Sequence, residues 1–533
     1  MSTKNSHLDV IIVGAGFAGL YMLHSARKSG LSAIVLEAGA GAGGTWYWNR
    51  YPGARCDVPS MEYSYQFDDE LQQEWQWTER YASQPEILSY INHIVERFKL
   101  ADDIVFNARA KTAHFDDATN AWTVKTSTNE TYSAQFCVFA SGCLSVTNIP
   151  DIENRESFAG QIYHTGNWPH EGVDFSGLEV AVVGTGSSGI QSIPLIAEQA
   201  AKLSVLQRTP SFTVPAHNHP LAAEEQNLVK SNYPDFRTHA SKQFTGNDFS
   251  ANERLATEMS AEEIQTECDR RWELGGLNWY GAFADLLLDQ KTNDIAAKYV
   301  NQKMHELVRD NNVALTLTAD SVFGCKRLCA DTDYYETFNK PNVNLIDLRE
   351  MPIRSFTKNG MMIGSEDYSF DAVVFATGFD AMTGALNRID IRGREDLSLK
   401  DKWSAGPLTY LGIQTAEFPN MFIITGPGSP SVLTNMLPSI EQHVDFISGA
   451  INHLRENEFV SIEASHSAET AWVAHVNEVA ASTLLLNCNS WYLGANVPGK
   501  PRVFMPYLGY PEYVEKCEQV VNSDYEGFTL KPA

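Results

Sequence analysis

The stretch Asp9-Val10-Ile11-Ile12-Val13-Gly14-Ala15-Gly16-Phe17-Ala18-Gly19 decides the fold. Its apolar run is too short to cross a membrane and has the length of a buried parallel strand. The glycines then follow as G-x-G-x-x-G, which a tight turn, a close backbone approach and the start of a helix require. Leu20, Leu23 and Ala26 carry a helical apolar pattern that Gly30 ends, and Ala33-Ile34-Val35-Leu36 reads as a second strand. Glu37 closes that strand, 23 residues past Gly14. Strand, turn, helix, strand and a terminal acid is the pattern of a parallel α/β unit whose helix N-terminus faces a pyrophosphate.

The pattern recurs. Val180-Ala181-Val182-Val183 leads into Gly184-Thr185-Gly186-Ser187-Ser188-Gly189, a helix to about residue 200 and a strand at Leu203–Leu206. A lone fingerprint of this kind is also found as a plain glycine-rich turn; two framed copies predict two dinucleotide sites. The position 23 past Gly184 is Gln207, with Arg208 and Thr209 beside it. Glu37 accepts from ribose hydroxyls and repels a 2′-phosphate, which suits FAD or NAD at the first site. Arg208 with the Thr209 hydroxyl suits the 2′-phosphate of NADP at the second. FAD with NADPH is the economical pairing. The segment from Gly43-Gly44-Thr45-Trp46 to Arg55-Cys56-Asp57 sets small residues among aromatics, a composition open to a flavin wall, a core or an interface alike.

At 533 residues the chain has room for about three domains of ~150 residues. Residues about 215–320 turn to charged, helical periodicity, and strand grammar returns at Asp371–Gly378 before a tail of loops and helices. The 40 basic and 66 acidic residues give a net charge of −26, which argues against nucleic acid and anionic lipid as partners. The eight cysteines hold no C-x-x-C, so a reactive dithiol is excluded, and free thiols in a reducing cytoplasm are expected. No apolar stretch reaches the ~18 residues of a membrane span, and the apolar start lacks a basic flank and a cleavage site.

Between the fingerprints lies Phe158-Ala159-Gly160-Gln161-Ile162-Tyr163-His164-Thr165-Gly166-Asn167-Trp168-Pro169. This F-x-G-x-x-x-H-x-x-x-W-P segment resembles the signature of type I Baeyer–Villiger monooxygenases, and the likeness extends over nearly the whole chain. The resemblance implies two Rossmann-like dinucleotide-binding domains with a helical insertion in the second. Residues 1–145 and 385–533 would form the FAD domain, 150–215 and 325–380 the NADP domain, and 216–324 the insertion. It implies that NADPH reduces the flavin, that O₂ adds at C4a, and that the peroxyflavin attacks a ketone to give an ester or lactone. Sulfoxidation is an expected side activity.

Residue by residue, Arg327 in Phe323-Gly324-Cys325-Lys326-Arg327 resembles the catalytic arginine, and Asp57 the carboxylate that orients it. A cation that keeps its proton is what a peroxide anion needs. Lys326 resembles the residue that joins Arg208 and Thr209 on the 2′-phosphate. The cofactor walls would further include Gly14, Gly16, Ala18, Gly19, Glu37, Gly44, Thr45, Trp46, Arg55, Asp57, Tyr63 and Met436 for FAD. For NADP they would include Gly184 to Gly189 with Gln191, and Trp491 on a loop that closes over the nucleotide. The signature residues are Phe158, Gly160, His164, Trp168 and Pro169, and His164 is expected to couple domains and position NADP, not to move protons. Ser431, Val432 and Leu433 resemble the substrate-pocket loop, where Val432 and Thr434 are bulkier than in relatives. The expected partners are a small ketone and O₂, with no metal, and the expected state is a cytoplasmic monomer. The alternative is a flavin monooxygenase acting on nitrogen or sulfur, and Arg327 with Asp57 argues for the ketone reaction.

Overall fold

The computed structural model describes residues 8–533. The run around Val10–Val13 becomes the strand Leu8–Val13, buried from Val10 onward and flanked in parallel by Ala33–Leu36 and Thr131–Phe139. Burial on both faces explains why this strand reads as an unbroken apolar run. The sheet around it continues through Ala121–Thr126 and Ala110–Asp116, and the late strands Asp390–Arg392 and Met421–Ile423 also pair into it. Residues from both ends of the described chain therefore share one sheet. The long helix Met436–Glu456 packs on Phe17–Lys28, the helix of the first fingerprint.

A second sheet of five parallel strands runs Val343–Asp347, Lys202–Gln207, Glu179–Val183, Ala372–Phe375, Gln161–His164. The helix Ser187–Gln199 follows the second fingerprint, and Ile190, Ile193 and Ile196 bury its inner face. The signature segment supplies the edge strand Gln161–His164 of this sheet. Between the sheet's strands the chain makes an excursion of helices, including Ala261–Leu274 and Gln290–Leu307, as the charged periodicity predicts. Arg271 is fully buried there, ion-paired to Glu267 at 2.6 Å and donating to backbone carbonyls of Phe249, Ser250, Asn278 and Gly281.

Two sequence expectations need correction. The tail is not only loops and helices: Phe459–Ala464 pairs antiparallel with Phe528–Pro532, besides the two late strands already placed. Short strands with mixed composition give little period-2 signal. The cysteines are not all free. Cys325 and Cys488 form a disulfide across 163 residues, because the fold brings their Cα atoms to 6.4 Å, while the six others remain buried thiols. No helix among the described residues is long and apolar enough to cross a membrane.

Candidate active site

The two fingerprint turns are built for anions. Gly14 has φ +108, and a Cβ there would stand 2.6 Å from the Ala140 carbonyl oxygen; a Cβ on Gly19 would strike the Gly14 carbonyl. Gly184 and Gly189 repeat both contacts against Ala376 and Gly184. Gly186 differs, since a Cβ there would meet no protein atom within 4 Å. The space beside it is therefore not needed for packing. Neither fingerprint helix has a side-chain cap or an acid in its first turn, which leaves backbone N–H groups and the positive helix end for a ligand. These cradles fit two pyrophosphates. Ala18 is buried behind the first turn, and Ser187 and Ser188 open the second helix, with Ser188 3.1 Å from the Thr165 hydroxyl.

Glu37 is buried, and its oxygens accept from the backbone N–H groups of Ala15 at 2.7 Å and Gly39 at 2.6 Å. Burial raises its carboxyl pKa, and the two N–H donors oppose that rise. Each oxygen keeps a lone pair for a ribose hydroxyl. The Gly43–Gly44 turn packs directly on the fingerprint: Gly43 N–H donates to Ala15 O at 2.9 Å, and a Cβ on Gly44 would sit 3.0 Å from Gly16 Cα. Thr45 starts a short helix after it, and the Trp46 indole donates to the Tyr63 hydroxyl at 3.1 Å. Glycine on both sides of so close a contact leaves a backbone-lined slot beside aromatic rings.

At the second site Arg208 is exposed and Lys326 half-buried. Burial first, and then the charge of Arg208, lowers the Lys326 pKa, with Asp320 opposing. Two neighbouring cations held this way are a site for an anion. Thr209 stands beside them, its carbonyl 3.3 Å from the Thr185 hydroxyl.

Arg327 joins the two halves. Parallel pairing of Thr213–Pro215 with Cys329–Asp331 fixes the segment that carries it. Its guanidinium forks onto Asp57, with Nε to Oδ2 at 2.5 Å and Nη2 to Oδ1 at 2.9 Å, while Nη1 donates to the Val432 carbonyl at 2.8 Å. Burial works against the charge, but Asp57 outweighs it and holds the pKa of Arg327 above its ordinary value. A permanently charged, oriented cation results. It lines a cavity of about 1440 Å³ with Leu433, Tyr280 and Tyr492.

The signature segment works between the sheets. His164 is buried, accepts from Gly166 N–H at 2.9 Å and faces the Thr377 hydroxyl at 3.5 Å, and burial lowers its pKa to about 4. Thr377 in turn donates to Asn148 O at 2.5 Å, so the histidine sits where the two connecting segments meet. Trp168 is buried and its backbone N–H donates to Trp48 O at 3.3 Å; Pro169 follows it half-buried. A Cβ on Gly160 would collide with Asp371 O and the Phe158 ring, which packs on Phe356. Gln191 accepts from the Tyr51 hydroxyl at 2.8 Å and donates to Arg55 O at 3.1 Å, tying the second fingerprint helix to the aromatic segment.

Other expected residues sit differently. The Arg55 guanidinium is engaged by Glu79 at 2.6 Å and the Tyr81 carbonyl at 2.7 Å. Ser431 and Val432 are buried and only Leu433 of that trio reaches the cavity; Thr434 turns inward onto Ser439 at 2.7 Å. The Val432 contribution to Arg327 is its carbonyl. Met436 opens the helix Met436–Glu456, whose N-cap Asn435 also donates to Glu62 O at 2.9 Å. Trp491 packs against Tyr492 with its ring tilted 51° and ring centres 4.3 Å apart. Its loop is docked by Asn148 on Asn496 O at 2.9 Å and Lys500 on Asp380 at 2.6 Å, and Cys488 bonds it to the residue beside Lys326. Tyr492 was missed in sequence as a cavity residue, and adjacency to Trp491 was its one signal.

The sequence family described as pyridine nucleotide-disulphide oxidoreductase matches residues 11–223. A Baeyer-Villiger monooxygenase of Pseudooceanicola batsensis is 38% identical over 528 residues, 98% of this chain and 96% of its own length. Phenazine N-monooxygenase of Lysobacter antibioticus is 38% identical, covering 99% of this chain and 98% of its own. Among solved structures, a steroid monooxygenase bound to NADP is 45% identical with a TM-score of 0.95, covering 99% of this chain and 100% of its own. The OTEMO complex with FAD and NADP is 36% identical with a TM-score of 0.95 at the same coverage. With both nucleotide cradles, the signature between them and full-length similarity in hand, the chain belongs to the Baeyer–Villiger monooxygenase family.

Proposed function

We propose that this protein uses NADPH and O₂ to insert one oxygen atom beside a ketone carbonyl, releasing an ester or lactone, water and NADP⁺. The observation that carries the reading is Arg327, forked on Asp57 and facing a cavity of about 1440 Å³. The FAD domain is assigned to residues 1–145 and 385–533, the NADP domain to 150–215 and 325–380, and the insertion to 216–324. Bound FAD supplies the hydride acceptor and the carrier of activated oxygen.

The chain's own residues do the rest. The first fingerprint with Glu37 holds the FAD pyrophosphate and ribose, and the second with Arg208, Thr209 and Lys326 holds NADPH. Arg327 stabilises negative charge developing at the transferred oxygen and the ketone carbonyl, and Asp57 keeps the guanidinium aimed. His164 stays neutral near pH 7 and couples the connecting segments, so it is not assigned a proton. The Trp491 loop covers the nucleotide. The assigned state is a cytoplasmic monomer; six buried free cysteines and NADPH as reductant support that compartment, and the single disulfide stands against it.

The phenazine relative keeps a second reading alive, oxidation of a ring nitrogen. NADPH consumption in air by FAD-loaded protein, with ketones and N-heterocycles in parallel and products identified by mass spectrometry, separates the two. Ketone-dependent formation of esters or lactones is expected. N-oxides with no ester would overturn the reading.

A further inference from the structure

The loop that carries Trp491 is held at both ends. At its far end the Lys500 ammonium pairs with Asp380 at 2.6 Å and donates to the Ala381 carbonyl at 2.6 Å, and between the ends Asn496 donates to the Phe379 carbonyl at 2.7 Å. At its near end stands Cys488, bonded to Cys325. Trp491 follows Cys488 by three residues, while Cys325 directly precedes Lys326 and stands two before Arg327. One covalent bond therefore joins the loop assigned to cover the nucleotide to the segment carrying the assigned phosphate lysine and catalytic arginine. It also crosses from residues assigned to the FAD domain to residues assigned to the NADP domain.

The two sulfurs differ in access. Cys325 is fully buried, whereas Cys488 is half-buried between the exposed Asn487 and Asn489. Access decides which sulfur of a disulfide a thiolate attacks, so a reductant meets this bond from the Cys488 side. The six other cysteines are buried thiols, an environment that keeps thiols inert. A Cα separation of 6.4 Å lies within the span of a disulfide, so closing the bond asks for no rearrangement of the backbone.

We propose that Cys325–Cys488 is a redox latch on the nucleotide. The bonded form holds the Trp491 loop shut and slows both entry of NADPH and exit of NADP⁺; the dithiol form lets the loop open against its noncovalent contacts alone. The inference rests on the assignment of the Trp491 loop as the cover of the nucleotide. The oxidant is hydrogen peroxide. The Cys488 thiolate attacks it, the O–O bond breaks to give a sulfenic acid and water, and the Cys325 thiol then attacks the Cys488 sulfur, forming S–S and releasing a second water. The two thiols lose two electrons and two protons, and one peroxide becomes two waters. The reductant is a dithiol. One of its thiolates attacks the Cys488 sulfur, the S–S bond breaks and Cys325 leaves; its second thiol then displaces Cys488, so the reductant becomes a disulfide and its two protons pass to the cysteines.

The experiment uses FAD-loaded parent protein, reduced with dithiothreitol or reoxidised with hydrogen peroxide, and Cys488→Ser treated in the same two ways. Alkylation with mass spectrometry counts free thiols; in the parent, eight are expected after reduction and six after reoxidation. Hydrogen exchange over residues 488–500 reads the loop without turnover. Anaerobic mixing of NADP⁺-loaded protein with excess NADPH reads nucleotide release, because flavin bleaching then waits for NADP⁺ to leave.

Reduction should speed loop exchange and NADP⁺ release by about fivefold or more, and peroxide should reverse both. Cys488→Ser should match the reduced parent after either treatment. The limiting rate of flavin reduction at saturating NADPH, with no NADP⁺ loaded, should stay within about twofold. Eight free thiols after peroxide, or release that is unchanged between the two thiol counts, would overturn the latch. NADP⁺ should also slow exchange at 488–500 in the reduced parent; without that protection the loop assignment falls, and the latch with it. Ester formation is assayed in parallel. Esters with an unresponsive release would leave the function standing without the latch, and a responsive release with no ester from any ketone would leave the latch standing without the function.

Discussion

Asp57→Asn tests the centre of the proposed mechanism. The substitution keeps the size of the side chain but removes the charge that Nε and Nη2 of Arg327 address at 2.5 and 2.9 Å. Removing one member of a buried pair costs about 3–5 kcal/mol, because the other charge stays behind uncompensated. Here the two side chains are 22% and 23% exposed, so solvent screening trims the loss to about 2–4 kcal/mol. The Val432 carbonyl still holds Nη1, so the guanidinium is loosened and not expelled. If the lost energy is lost in the oxygen-transfer step, ester formation falls by about 30- to 1000-fold. Hydride transfer does not use the fork, and stopped-flow reduction by NADPH should stay within about threefold. The paired readouts are flavin reduction at anaerobiosis and ester yield by gas chromatography–mass spectrometry. Ester formation within threefold of the parent would refute the assignment of Asp57 as the residue that aims Arg327. The pair should not set the alkaline limit of activity. Arg327 has its pKa raised on folding, so its stabilising contribution is complete below the ordinary arginine range and is lost only as pH rises beyond it.

Arg208→Ala and Lys326→Ala should each raise KM for NADPH by about one to three orders of magnitude, roughly 1–4 kcal/mol, with little change for NADH. An unchanged preference between the two nucleotides would remove the assigned anion site. Cys325→Ser, or reduction by dithiothreitol, should lower the unfolding temperature measured by calorimetry. A 163-residue closed loop is worth about 5 kcal/mol in the chain-entropy account, and an unchanged transition would show that the bond is not constraining the chain. His164 should leave the activity profile flat between pH 6 and 8. Its pKa is lowered on folding to about 4, so the unfolded chain binds the extra proton and stability falls as pH drops from 6.5 toward 4, by roughly 3 kcal/mol from this group. Acid unfolding of His164→Asn, followed by fluorescence, should be measurably shallower over that window.

What could be read from the sequence was whatever local chemistry demands. Val10–Val13 is apolar because both its faces are covered, and Gly14, Gly19, Gly184 and Gly189 are glycine because a Cβ would meet backbone at 2.6 Å or closer. Such constraints act within about twenty residues and leave a pattern of fixed spacing. Arg327 meeting Asp57 leaves no such pattern, since 270 residues separate them and each is an ordinary surface charge taken alone. Only the resemblance paired them. The same distance hid Cys325 and Cys488, which carry no spacing rule and so read as free thiols. Pocket walls were hardest of all. Val432 reads in sequence as a bulky pocket-loop residue, yet its side chain is buried and it is the carbonyl, common to every residue type, that holds Arg327. Backbone contributions of this kind are invisible to composition, because a carbonyl oxygen is present whatever the side chain. A substitution at Val432 therefore acts on the site through the path of the main chain, and the size of the side chain is a poor guide to its effect. The tyrosines that do face the cavity, Tyr280 and Tyr492, arrive from the insertion and from the tail, and their convergence depends on how three regions of the chain pack around Arg327.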